Sequence, residues 1–457
     1  MEATTTSSVT RSGSPVDQDG RHVLAAWKKR GGERGPEITH AQGVYFWDAS
    51  GRRYIDFTSG YVFSNFGYGE PRVVSAIARQ AETLAVVASP FVTAPRAAAA
   101  SMIAQIAPGD LNNVFFSCGG AEANEVALKM ARDLTGRSLL CSRYRSFHGA
   151  TYATITVSRD PRSWSFSNGI SDVIYAPGCD PYRCQHAPPG GRHTDCGEHS
   201  ADELEAVLLQ HKPERVAGII LEAIVGSNGV IVPADGYLQR VREICDRYGI
   251  LMIADEIMTG FGRTGRWFAV DHWDVVPDIM TLSKGITGGY IPMAATVLRD
   301  RWAAQYDDRP LVHGYTFSGH ALGCAAITAS IDVYQSDRLV ERSAENGAYL
   351  LERARELMDR HPAIGDVRGK GLFVGMELVF NRRTKRPMHD PTRPAPGPSA
   401  KDRVIARVME EGVYIMPGQG SVITLAPPLT VTRQQIDETL HVLDRALAIA
   451  DAEVEKE

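Results

Sequence analysis

Two short apolar runs, residues 250–254 and Ile279–Leu282, each end directly on charge: Asp255-Glu256 follows the first and Ser283-Lys284 the second. A wholly apolar run of four or five residues leaves no solvent face, so it reads as a strand covered on both sides, as in a parallel sheet between helices. The same rhythm fills the middle of the chain. Residues 114–117 precede a helical stretch over 122–134, and Val216–Leu221 precedes another over 236–248. This alternation predicts an α/β fold around a mostly parallel sheet. Ligands of such sheets bind at the carboxyl rim of the strands, where Asp255 and Lys284 both fall.

At 457 residues the chain is too long for one small module and has room for two lobes. Residues 44–57 alternate apolar and aromatic side chains around Asp48-Ala-Ser-Gly51, which has hairpin-turn chemistry and predicts an N-terminal ribbon. After Tyr334 come an amphipathic helix at Leu339–Arg360, a strand at 371–378 and a Pro-rich loop at 391–398. The expected organisation is a disordered tail at 1–20, an N-terminal segment of a small domain at 21–80, a large domain at 81–334 and a C-terminal small domain at 335–457.

The net charge of −5 is spread along the chain without a Lys/Arg block, which argues against a nucleic-acid partner. No apolar run approaches the ~18 residues of a membrane helix. Residues 1–20 lack an apolar signal core, so a cytoplasmic protein is expected. Seven cysteines, an odd number, suggest reduced thiols rather than a disulfide framework. Cys179, Cys184 and Cys196 interleave with His186, His193 and His199, but their spacings match no standard zinc pattern. Pro188-Pro-Gly-Gly191 marks a loop, so the stretch reads as a surface insertion, and no metal site is expected.

A lysine beside a core is costly unless it is neutralised or used covalently, although a snorkelling stem is the ordinary alternative. Asp255 on a neighbouring strand shifts that balance. A carboxylate there can pair with a protonated pyridine nitrogen and turn a flat ring into an electron sink; the alternative is an ion pair with Lys284. Glu256 reads as a supporting or solvent-facing residue. Ser117–Asn124 places small residues between a strand and a helix, where backbone N–H groups suit a phosphate, though glycine pairs are also common in turns. Phe147-His148-Gly149 follows the next strand and offers an aromatic face to a flat cofactor, with plain core packing as the default reading.

Taken together, the chain resembles the class III aminotransferases, a branch of fold type I pyridoxal-phosphate (PLP) enzymes, from about Gly43 to Thr432. Gly119-Gly-Ala-Glu-Ala-Asn124, Phe147-His-Gly149, Leu221-Glu222, Asp255-Glu-Ile257, Ser283-Lys-Gly285 and His313-Gly-Tyr-Thr-Phe-Ser-Gly-His320 follow in the family's order. The resemblance implies a large domain with a seven-stranded, mostly parallel sheet and a smaller α+β domain built from both chain ends. It implies pyridoxal 5'-phosphate as cofactor, with Lys284 as its aldimine lysine and Asp255 on its ring nitrogen. Gly119, Gly120 and Ala121 would cradle the phosphate, Phe147 and Ile257 would sandwich the ring, and His148 and Glu222 would lie beside it. Thr316 would reach the cofactor of a neighbouring subunit, making the active unit a homodimer. Residues Tyr61, Val62 and Phe63, with Phe91 of Ser89-Pro-Phe-Val92, would line the substrate pocket.

The wording at Ser227–Pro233 and Met258–Gly265 is similar to the branch acting on ω-amino acids, taurine and simple amines with pyruvate. The implied reaction moves an amino group from such a donor to a keto acid. Decarboxylation, racemisation or intramolecular amino transfer on the same fold stays open. Departures from the family matter here. Where relatives carry a carboxylate-binding arginine before an Ala-Pro-Pro-Leu stretch, this chain has Pro417 and Thr424 ahead of Ala426-Pro-Pro-Leu429. Neither makes a bidentate pair with a carboxylate. Gly119 and Ala121 also replace hydroxyl residues, leaving phosphate binding to backbone donors, and Ala223 replaces a proline.

Overall fold

A computed structural model describes residues 13–455 apart from 31, 33, 167, 168, 194, 391 and 393–396. Its N-terminal ribbon has three antiparallel strands: β1 (Ile38–Gln42), β2 (Tyr45–Asp48) and β3 (Arg53–Asp56). The β2–β3 turn forms as the sequence suggests, with the Asp48 carboxylate accepting from the N–H groups of Ser50 and Arg52 at 2.9 and 3.0 Å. Strand β1 gave no signal because its residues are almost all exposed and carry no apolar alternation. Pro15–His22 is a helix capped by Ser14, in a stretch where the sequence suggested a tail; residues 1–12 lie outside the described set.

The central sheet has seven strands: β4 (Leu111–Ser117), β5 (Leu139–Arg143), β6 (Val173–Ala176), β7 (Val216–Leu221), β8 (Leu251–Asp255), β9 (Ile279–Leu282) and β10 (Ala294–Arg299). Their spatial order is β4-β10-β9-β8-β7-β5-β6, and β10 alone runs antiparallel to its neighbours. Every residue of β5, β7, β8 and β9 is buried, because helices cover both faces.

The pleat divides these residues between two cores. Ile220, Ile253 and Ile279 meet Val126, Met130 and Ala131 of α1 (Gly120–Thr135). On the other face, Ile219, Met252 and Met280 join a larger core with Tyr237, Val241 and Ile244 of α3 (Tyr237–Tyr248); α2 (Cys196–Gln210) contributes Leu204 and Leu208 to it. Each such side chain contributes about 1.5–3 kcal/mol by leaving water. Asp255 shares the parity of Leu251 and Ile253, so its carboxylate leaves the strand on the α1 side.

Beyond Tyr334, α4 (Leu339–Arg360) buries Leu339, Ser343, Gly347, Leu350, Ala354 and Leu357, spaced three or four apart on one face. Gly347 is required there, since a Cβ would lie 2.1 Å from the carbonyl carbon of Gly371. Strand β12 (Phe373–Asn381) pairs with β11 (Ile364–Lys370), β13 (Arg386–Pro387) and β15 (Val422–Leu425). Val413 and Tyr414 form β14, which runs parallel to β3 through the registers Val413↔Ile55 and Tyr414↔Asp56. Both ends of the chain therefore meet in one small sheet. Most of the Pro-rich stretch lies outside the described residues, and its described remainder holds no helix or strand. Among the described residues no helix is long and apolar enough to cross a membrane.

The 177–195 segment is more than the surface insertion its composition suggested. Cys179, Tyr182 and Cys196 are buried, and Arg183 donates to Glu377 on β12 at 2.7 Å while Arg192 donates to Asp366 on β11 at 2.8 Å.

Candidate active site

Asp255 ends β8 facing α1, and a polar network meets it there. Asn124 Nδ2 donates to Asp255 Oδ2 at 2.9 Å and to the His148 carbonyl at 2.7 Å. The Asn124 oxygen accepts from Thr281 Oγ1 at 2.7 Å, so β9, α1, β8 and the loop after β5 are tied together at the rim. His148 Nδ1 stands 2.7 Å from the same Asp255 oxygen, and the Ile257 N–H donates to Oδ1 at 3.1 Å. The side chain against Asp255 is thus His148 rather than Lys284.

Lys284 follows β9 in left-handed backbone, with φ +48°, a conformation costing roughly 1–3 kcal/mol in a non-glycine residue and typical of functional sites. Its side chain opens onto a cavity of about 150 Å³ that Phe63, Thr287, Gly289, Ile291, Pro292 and Met293 complete. Burial of the amine pulls its pKa below the ordinary lysine value; the charges of Asp255 and Glu222 oppose that fall, and Arg162 adds to it.

Glu222 is buried and held by two backbone donors, Phe147 N–H at 3.2 Å and Gly226 N–H at 2.7 Å, and burial raises its pKa. Glu256 is not solvent-facing. It is fully buried and accepts from Ala269 N–H at 3.0 Å, Val270 N–H at 2.9 Å and the Thr259 hydroxyl, while burial pushes its pKa up to about 7.

Gly119 precedes α1 in extended conformation and offers no side-chain cap, leaving the first-turn N–H groups for an anion. Ile257 packs against this turn: a Cβ at Gly120 would lie 2.9 Å from its Cδ1. The Glu122 carboxylate engages the Cys118 N–H at 2.8 Å and stabilises the turn. Phe147 is half-buried, and the Arg162 guanidinium lies 3.5 Å from its ring centroid. Of the expected pocket residues, Phe63 shares the Lys284 cavity, Val62 is buried in the core, and Tyr61 and Phe91 are exposed. Thr316 is exposed on the loop before helix Ala321–Ser336. Thr424 is buried on β15, pairing with Gly375.

Sequence reasoning gave no role to Asn124 or Arg162. Asn124 ends the Gly-Gly-Ala-Glu-Ala-Asn run and its place one turn into α1 was a usable signal. Arg162 had none, because only the folded chain brings the Asp160-Pro-Arg turn beside Phe147.

The arrangement fits pyridoxal 5'-phosphate. His148 Nε2 and Ser117 Oγ are buried without hydrogen-bond partners among the described residues, a free helix start awaits an anion, and a lysine and a carboxylate converge on one rim. Fold and site together define a PLP-dependent enzyme of fold type I.

Residues 31–447 match the family model Aminotransferase class-III. The taurine–pyruvate aminotransferase of Rhodobacter capsulatus is 35% identical, covering 95% of this chain and 98% of that protein. The leucine/methionine racemase of Thermococcus litoralis is 34% identical, covering 89% of each. The crystal structure of taurine:2-oxoglutarate aminotransferase from Bifidobacterium kashiwanohense, in complex with PLP and glutamate, superposes with a TM-score of 0.91 at 35% identity, covering 96% of this chain and 98% of that one. The chain belongs to the class III aminotransferases.

Proposed function

We propose that this enzyme moves an amino group from a primary amine or ω-amino acid to a keto acid such as pyruvate, with Lys284 carrying the proton and Asp255 facing the cofactor's ring nitrogen. The position of Lys284 carries this reading: an amine biased toward its neutral form, opening onto a cavity beside the Asp255 rim. Bound PLP supplies an aldehyde that captures amines and a ring that accepts the electron pair left at the substrate's Cα. With its pKa lowered by burial, the free Lys284 amine would take a proton from one carbon of the substrate and return it to another. Asn124 and His148 orient the Asp255 carboxylate, and Thr281 fixes Asn124. Both Glu222 oxygens are held by backbone N–H groups, so its carboxyl group is fixed in orientation near Lys284. Backbone donors at Gly119, Gly120 and Ala121 hold the phosphate.

Arg162 is our choice for the donor's acidic group in place of the missing arginine. Arg263 is fully buried and used by the carbonyls of Leu372 and Pro427 and by Ser59 and Asn65. Arg143 is buried on the Glu222 carbonyl; Arg145 pairs with Asp180 and Arg162 with Asp160, so position rather than freedom separates these two. Arg162 lies over Phe147, and its charge is felt at Lys284.

The active unit is taken to be a homodimer. Val86, Val87, Phe91, Val92, Val312 and Phe317 are large, exposed and apolar, the kind of surface a partner covers, and Thr316 sits among them. Residues 81–334 are taken as the cofactor domain, with the small domain drawn from 21–80 and 335–457.

The test is a half-reaction: PLP-loaded enzyme is mixed with single amines and amino acids, without any keto acid, while the cofactor's visible absorption is followed. Loss of the band with a donor and its return with pyruvate support the proposal. Racemisation of an amino acid without a second substrate, as the name of the Thermococcus relative describes, would replace it.

A further inference from the structure

Between β6 and α2, three sulfurs and an imidazole converge that have no part in the chemistry above. The donor atoms of Cys184, His193 and Cys196 all lie within 4.8 Å of one another, and Cys184 Sγ is 3.0 Å from His193 Nδ1. Cys179 Sγ stands 3.4 Å from Cys196 Sγ. We propose that these four residues bind one zinc ion, as a structural clip on the 179–196 loop.

The distances suit that ion. Zn–S bonds of about 2.3 Å and Zn–N bonds of about 2.0–2.1 Å at tetrahedral angles put sulfurs about 3.8 Å apart and sulfur about 3.5 Å from nitrogen. Cys184, His193 and Cys196 already stand close enough to share an ion, whereas Cys179 meets only Cys196 at this range, so a cation enters with small shifts of the three and a turn of the Cys179 side chain toward them. A soft donor set of three thiols and one imidazole selects zinc over magnesium or calcium, which take oxygen ligands. Four protein ligands close the coordination shell, so the role is structural.

Polar groups meet two of the sulfurs. The Ala234 N–H donates to Cys179 Sγ at 3.3 Å, and Ser200 Oγ lies 3.4 Å from Cys196 Sγ. Cys196 begins α2, which fixes its position. His193 is held by its own N–H, which donates to the Pro181 carbonyl at 2.9 Å, and the rings of His186 and His199 pack around it, 5.8 and 6.4 Å away. Outer contacts of this kind orient ligands. The spacing C-x4-C-x8-H-x2-C hides the site in the sequence, because the long middle interval contains the Pro-Pro-Gly-Gly turn that folds it back.

A clip here has consequences. The loop's Arg183 and Arg192 bind Glu377 and Asp366, and Lys385 Nζ donates to the carbonyls of Tyr182 and Gly191 at 2.9 and 2.6 Å. Asp180, next to Cys179, pairs with Arg145 at 2.5 Å, two residues before Phe147. Zinc would hold this loop against β11 and β12. Binding displaces the thiol protons, so affinity rises with pH.

The experiment measures metal in the purified, PLP-loaded full chain by mass spectrometry, before and after incubation with zinc and removal of excess. About one equivalent per chain is expected. Cobalt(II) in place of zinc should give the intense thiolate-to-metal absorption of a tetrahedral site, a readout on the unaltered protein. Cys184→Ser and His193→Ala should each weaken zinc binding by about 100-fold or more and lower the thermal midpoint, while PLP content is retained. Failure of the unaltered chain to bind zinc or cobalt, or isolation of Cys179 and Cys196 as a disulfide that reduction does not convert to a metal-binding form, would overturn the proposal.

Discussion

His148 Nδ1 lies 2.7 Å from Asp255 Oδ2, with both side chains buried at the end of β8. A buried carboxyl group needs hydrogen-bond partners, and Asn124, His148 and the Ile257 N–H are three. Asp255→Asn keeps the shape and removes the charge. Turnover should fall by about 10²–10³-fold, as when a fixed electrostatic contact to a transition state is lost, while PLP remains bound. His148→Gln disturbs the orientation of Asp255 and should lower kcat by about 10- to 100-fold with a shift in the cofactor's absorption against pH. An unchanged spectrum and rate in Asp255→Asn would refute its place on the ring nitrogen.

Glu256 makes a prediction about stability. Its pKa rises from the ordinary 4.5 to about 7 in the folded chain, chiefly through burial. Between these values the native state binds more protons than the unfolded one, so this group's stabilisation is complete below pH 4.5 and is lost as pH rises through 7. The span corresponds to roughly 3 kcal/mol at 1.36 kcal/mol per pH unit. Urea unfolding at pH 5 and pH 8 should show this decline in the parent and not in Glu256→Gln. Comparing the two pH values within each protein cancels the hydrogen bond that Gln cannot accept. Equal pH dependence in both would mean that Glu256 is ionised throughout.

The exposed apolar residues around Thr316 predict an assembly. Phe317 and Phe91 stand out of the single chain, and a cavity of about 330 Å³ lined by Val92, Thr93, Arg96 and Phe115 opens beside them. Phe317→Asp should move the protein from dimer to monomer in sedimentation and lose activity in parallel. Thr316→Ala should leave the dimer intact and release PLP more readily. A parent chain that sediments as an active monomer would rule out the shared site.

What the sequence revealed follows from where its signals are strongest. Strands β7, β8 and β9 were legible because burial on both faces leaves mostly apolar residues, and α4 because six buried positions recur every three or four residues. Asp255 and Lys284 were legible because charge directly after such a strand is rare. Strand β1, exposed along its length, carried no such mark. The choice between a supporting and a solvent-facing Glu256 was not legible, because its partners, the N–H groups of Ala269 and Val270, come from a distant turn that adjacency does not reveal. The same limit hid His148 as the partner of Asp255 and kept Cys184, His193 and Cys196 apart.

The role proposed for Arg162 is to select among donors. Its Nε donates to Asp160 Oδ2 at 2.9 Å and its Nη2 to Ser227 Oγ at 2.8 Å, contacts that hold the guanidinium over Phe147. A carboxylate or sulfonate at the far end of a donor would gain a charge-assisted hydrogen bond there, worth about 1.5–3 kcal/mol. Arg162→Met keeps the length of the side chain and removes the charge. Its KM for an acidic ω-amino donor should rise by about 10- to 100-fold, while kcat/KM for an uncharged amine of the same length stays within about 3-fold. Removing Arg162 also removes a charge that lowers the pKa of Lys284, so the alkaline limb of the pH profile should move up in the variant. If both donors weaken equally, Arg162 only supports Phe147, and the acidic group must be met elsewhere.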